Sequence, residues 1–106
     1  MSEKLKAAFM FVAPGADPER DRQWVRTDAV DLLTVGVADY RQAAQTAARL
    51  ASEGIAAIEL CGGFGNRGVA LVAEAVEGKI PVGVVRFDIH PGLGNASGDG
   101  IFSGQG

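Results

Sequence analysis

The residues able to do chemistry in this chain gather in two stretches. The first, Cys61-Gly62-Gly63-Phe64-Gly65-Asn66-Arg67-Gly68, contains the spacing Gly63-x-Gly65-x-x-Gly68. Between a strand and a helix, that spacing lets backbone N–H groups approach an anion closely. The helix that follows adds partial positive charge at its start, so the loop predicts a bound phosphate or carboxylate, with Arg67 reinforcing it. Asp88 lies about twenty residues further on, where dinucleotide folds place a ribose-binding carboxylate. A complete dinucleotide fold needs a second half that this chain has no room for. The expected ligand is therefore a small anion held by Gly62, Gly63, Phe64, Gly65, Asn66, Arg67 and Gly68, with Arg86 and Asp88 beside them. The structural alternative is a tight glycine turn that packs helix against sheet, with Phe64 folded inward, in a structural or interaction module that holds no ligand.

The second stretch, Arg86-Phe87-Asp88-Ile89-His90, places three polar groups at alternate positions, as Glu59 and Cys61 are placed earlier. Strand alternation puts each set on one face, and neighbouring strands would let the sets meet. Glu59 inside Ile-Ala-Ala-Ile-Glu-Leu-Cys is costly on a covered strand unless paired, and Arg86 is the expected partner. Cys61 precedes a helix start, where a thiol is acidified. His90 is the sole histidine, hence the side chain that titrates near neutrality. Glu59, Cys61 and His90 are the catalytic candidates for a cofactor-independent isomerase, lyase or hydrolase, against the alternatives of an ion pair and a small buried thiol. Asp88-x-His90 offers metal donors that Asp99 or Glu59 would have to complete, and no metal site or cofactor is assigned. Asp28, Asp31 and the Glu19 to Arg22 cluster read as solvated.

Bulk properties narrow the classes. A chain of 106 residues makes one domain, and 17 alanines within a 47% apolar fraction predict a thin, closely packed core. A net charge of -3 with scattered arginines leaves no basic stripe for nucleic acid. The apolar run from Ala7 to Ala13 is too short to span a membrane. Read as a signal peptide, the start of the chain carries Glu3 in its basic region, and cleavage would remove the first strand. A cytoplasmic protein is expected. One cysteine excludes an internal disulfide.

These residues need elements to position them. Apolar runs predict strands over 5–12, 30–37, 55–61 and 82–87. The last has so little polar alternation that both of its faces should be covered. Asp17-Pro18 signals a short helix to about Arg26, although its apolar content is only Trp24 and Val25. Asp39 with Gln42 predicts a capping box opening a helix through Glu53, ended by Gly54. Val69, Val72, Ala73 and Val76 give a helix over 68–77 one inward face. The resulting order β-α-β-α-β-α-β predicts a single α/β domain over residues 1–88. It has about four mostly parallel strands with packed helices, a Rossmann-like or flavodoxin-like half. A first crossover this polar leaves open a mixed sheet with one antiparallel edge. Residues 89–106, with six glycines, form an extension that packs on this domain or on a neighbouring subunit. The thin core and open sheet edges predict a homo-oligomer.

With Ala-Pro-Gly-Ala-Asp-Pro at 13–18, Ile-Glu-Leu-Cys-Gly-Gly-Phe-Gly at 58–65 and Val-Gly-Val-Val-Arg-Phe-Asp-Ile-His-Pro-Gly-Leu at 82–93, the chain resembles a family of short bacterial single-domain proteins known as a domain of unknown function. The likeness runs from about Leu5 to Phe102. It implies a stand-alone bacterial protein and carries no activity, cofactor or site residue.

Overall fold

A computed structural model describes residues 4–103, so Glu3 and the end of the tail, 104–106, lie outside it. The strands are β1 (Leu5–Val12), β2 (Arg22–Arg26), β3 (Val30–Val37), β4 (Ala57–Leu60) and β5 (Val82–Val84). The helices are α1 (Tyr40–Ser52), α2 (Asn66–Ala75) and the single turn α3 (Asp99–Phe102), which follows a 3-10 turn at Pro91–Leu93. They build an α/β domain around a mostly parallel five-stranded sheet in the order β2-β3-β1-β4-β5, with β2 alone antiparallel.

The predicted first helix does not form beyond one turn. Asp17 Oδ1 accepts from Glu19 N and Asp17 O from Asp21 N, so the Asp-Pro signal acts locally. Past it there is no apolar stripe of helical period to bury. The chain instead pairs Arg22–Arg26 along β3, and Thr27 closes the hairpin by bonding Val30 through both backbone and hydroxyl. The element order through β5 is thus β-β-β-α-β-α-β, not the predicted alternation, and α3 follows it.

The register shows which face is covered. Ala8, Met10 and Val12 of β1 align with Leu33, Val35 and Val37 of β3 and with Ile58 and Leu60 of β4, and all are buried. On them pack Tyr40, Ala43, Ala47 and Leu50 of α1 and Val72 of α2 in one cluster. The alternate positions, Ala7, Phe9, Phe11, Leu32, Thr34 and Glu59, form a face that neither α1 nor α2 covers, and their side chains are half-buried or exposed. On that face the Phe11 ring lies over Gly36, where an added Cβ would come within 2.6 Å of the ring. The sheet is therefore two-layered, and the expectation of a fourth strand covered on both sides is corrected: β5 is a three-residue edge strand.

Local signals elsewhere act as expected. Asp39 caps α1 by accepting from Gln42 N at 2.8 Å, although Gln42 Oε1 reaches back to Ala38 N, one residue earlier than a capping box requires. Gly54, at φ +98, turns the chain out of α1. Asp31, read as solvated, is buried at 5% exposure, held between Lys4 and Arg26. No described helix is long and apolar enough to cross a membrane.

Candidate functional site

The glycine loop leads from β4 into α2, and each of its glycines meets a specific neighbour. An added Cβ would lie 2.2 Å from the Phe87 ring at Gly62, 3.0 Å from Val12 at Gly63, 2.5 Å from the Asp99 carboxylate at Gly65 and 2.6 Å from the Tyr40 ring at Gly68. Gly98 in the tail comes closest of all, its would-be Cβ 1.8 Å from the Gly63 carbonyl oxygen. The absence of side chains at Gly62, Gly65 and Gly98 is what lets the C-terminal segment lie against the loop.

Of the N–H groups expected to receive a ligand, those of Gly63, Phe64, Gly65, Arg67 and Gly68 have acceptors within the chain. Gly65 occupies the N-cap of α2 and has no side chain with which to cap it. The cap comes from Asp99: Oδ2 accepts from Arg67 N at 3.1 Å, and Oδ1 more weakly from Gly68 N at 3.4 Å. A carboxylate at a helix start is favoured by both hydrogen bonding and the helix dipole. Tyr40 completes the joint by donating to Asp99 Oδ1 at 2.7 Å and accepting from Gly65 N at 2.9 Å, its ring stacked on Phe64 at 5.6 Å. Burial, with the hydrogen bond to Asp99 next in order, raises the Tyr40 phenol well above its ordinary range. Phe64 is buried at 1% exposure, the inward position that the structural reading requires.

The remaining candidates divide between the two sides of the sheet. Glu59 aligns with Gly83 and Leu60 with Val84, so Glu59 projects from the open face and is exposed. Arg86 follows Val84 at alternate spacing, on the helix side, where its Nε donates to Asn66 Oδ1 at 3.0 Å and its Nη1 pairs with Asp88. The predicted Glu59–Arg86 ion pair is absent for that reason, and the Glu59 carboxylate stands exposed instead. Cys61 Sγ accepts from Gly63 N at 3.3 Å. His90 Nδ1 accepts from Gly92 N at 2.9 Å, and the ring lies against Phe87 with centroids 4.5 Å apart. No hydrogen bond links Cys61 to His90 among the described residues, nor do three potential metal ligands cluster there. The structure thus brings Asn66, Arg86 and Asp88 to one rim and leaves Glu59 on the other face.

Tyr40 and Asp99 are the residues that sequence reasoning did not connect with the loop. The available signal was a tyrosine on the inner face of α1, since a buried phenol needs a hydrogen-bond partner.

Fold and joint together define a small two-layer α/β protein whose C-terminal segment closes the strand-to-helix loop of its own sheet. The chain belongs to a family of unknown function, DUF6506, whose profile matches residues 5–100. No curated protein and no solved structure matches it.

Proposed function

We propose that this protein is an interaction module that works by self-association. The observation that carries this reading is the β5 edge and the chain leaving it, where Val84, Val85, Phe87 and Ile89 are 44, 47, 39 and 55% exposed. Apolar side chains concentrated beside an unpaired strand edge mark a surface that a partner covers. The glycine loop then serves as the joint that holds the tail, with Asp99 as its internal anion. Light scattering at micromolar concentration tests the reading, with a dimer or larger species expected. A monomer throughout the range would overturn it.

A second reading, binding of a small anion at the start of α2, is favoured by a different observation. Arg67 and Arg86 both stand exposed beside Asn66, and a carboxylate already sits on the neighbouring N–H groups. An added anion would take the place of Asp99. Thermal-shift measurements against phosphates, nucleotides and small carboxylates test it on the native chain and on Asp99→Asn, since a ligand held by the folded state raises Tm. A panel that moves neither protein ends this reading.

A further inference from the structure

We propose that the chain from β5 onward pairs antiparallel with the same segment of a second copy, about a two-fold axis at Phe87, with Arg86 opposite the partner's Asp88. The proposal rests on self-association and names its surface.

The two edges of the sheet are built differently. The β2 edge carries Arg22, Gln23 and Arg26 among its five residues, the charged protection that discourages edge-to-edge pairing. The β5 edge has no such guard: Val82-Gly83-Val84-Val85 is uncharged, and the ionised groups in the four residues that follow are Arg86 and Asp88, of opposite sign. Backbone bonding leaves the edge available from Val82 to Arg86 and closes it at His90, whose N–H donates to Ala96 O at 2.9 Å. Pro81 O accepts from Ile58 N and Val85 N donates to Leu60 O, so the odd-numbered residues of this strand face β4. By alternation, the N–H and C=O groups of Val82, Val84 and Arg86 point away from the sheet.

The segment Val85-Arg86-Phe87-Asp88-Ile89 is complementary to itself when reversed. Centred on Phe87, antiparallel pairing sets Phe87 against Phe87, Val85 against Ile89, and each Arg86 against the other copy's Asp88. Centring on Arg86 or on Val85 brings no arginine opposite an aspartate. The Phe87 register also makes Arg86 and the partner's Asp88 a hydrogen-bonded pair, in keeping with the outward direction of the Arg86 backbone. In the single chain Asp88 is 89% exposed and ion-paired to Arg86 two residues away, and the backbone bends at Asp88 and Ile89. Pairing straightens that bend and exchanges two intrachain ion pairs, one in each copy, for two across the axis. Opposite charges directly across an antiparallel pair stabilise it, and like charges there oppose it.

Charge reversal on the full chain tests the register. Sedimentation velocity is run on the native protein, Arg86→Asp, Asp88→Arg and a 1:1 mixture of the two variants, with circular dichroism on each to confirm folding. Each variant alone sets like charges opposite each other at both pairs, so its dimer Kd is expected to rise roughly tenfold or more. The mixture is expected to recover native affinity as a heterodimer, because each altered residue then faces its opposite. Loss of the intrachain pair alone predicts no recovery on mixing. A native dimer indifferent to both reversals, or no recovery in the mixture, overturns this interface and leaves self-association through another face. A native monomer overturns both. Should either variant fail to fold, Phe87→Cys in a Cys61→Ser background decides instead: mild oxidation is expected to cross-link it, because directly opposed cysteines lie within disulfide reach. A folded chain that stays uncross-linked overturns the proposal.

Discussion

The Tyr40 hydroxyl donates to Asp99 Oδ1 at 2.7 Å while accepting from Gly65 N at 2.9 Å, so one phenol joins the start of α1, the glycine loop and the C-terminal segment. Tyr40→Phe keeps the ring stacked on Phe64 and removes the hydroxyl, leaving Gly65 N without its acceptor and Asp99 without its donor. Stranding buried polar groups costs about 1–3 kcal/mol, which for a domain of this size lowers Tm by roughly 5 °C or more. Asp99→Asn in the same background is expected to be strongly non-additive, with a coupling of about 0.5–3 kcal/mol because the two side chains share one bond. Chemical denaturation of the four proteins measures it, and additive losses would show that the joint is not a unit.

Tyr40 is also the sole tyrosine, so the ultraviolet phenolate band reports on it alone. Burial, then the Asp99 contact, holds its folded-state pKa above the free value near 10. The associated stability is complete below about pH 10 and is lost as pH rises through the folded value. Native protein is therefore expected to show no phenolate at pH values where the urea-unfolded chain is half ionised. An ordinary titration near pH 10 in the folded protein would contradict the buried geometry.

Sequence and structure agree where one local signal dominates and part where a second element decides. β1, β3 and α1 are legible because long apolar runs and the Asp39 cap need no distant partner to interpret them. The segment 17–26 is not, because its helix-start signal is genuine for one turn, whereas an edge strand succeeds through hydrogen bonds to β3 that residue type does not announce. Glu59 and Arg86 were expected to meet because alternation was followed within each strand. The register between β4 and β5 instead puts them on opposite faces. The glycine spacing marks the turn from β4 into α2, but not the group that meets its N–H donors. Its resident carboxylate, on Asp99, lies 32 positions beyond Arg67, a distance over which sequence spacing carries no geometry.

Asp31 is the buried carboxylate whose charge strong acid must remove. Lys4, with Arg26 adding to it and burial opposing, holds its carboxyl below the ordinary value. A depressed folded-state pKa contributes stability above the unfolded value, about 3.9, and loses it as pH falls through the folded value. Asp31→Asn is expected to be less stable than the native chain at neutral pH and to show a flatter decline on acidification below about pH 4. Asp21, held low by Arg20, stays in the variant and keeps part of the slope. Urea midpoints across that range measure it, and parallel acid limbs would remove Asp31 as the cause.

Two glycines of the tail make opposite predictions. At Gly98 an added Cβ falls 1.8 Å from the Gly63 carbonyl oxygen, a backbone atom that no rotamer change can move aside. Gly98→Ala must push α3 away from the loop, drawing Asp99 off the start of α2 and Phe102 out of the core, where it is 3% exposed. Overpacking alone costs about 1–3 kcal/mol, and the lost cap adds to it. At Gly100, inside α3, nothing lies within 4 Å of the same added atom. Gly100→Ala reduces the freedom of the unfolded chain and is expected to be neutral or stabilising by up to about 1 kcal/mol. Thermal denaturation of the pair, with amide exchange at Arg67 and Gly68 as a local readout, separates the cases: Gly98→Ala should lower Tm and speed exchange at both amides, and Gly100→Ala should do neither. Equal behaviour of the two variants would mean that the tail does not hold the loop.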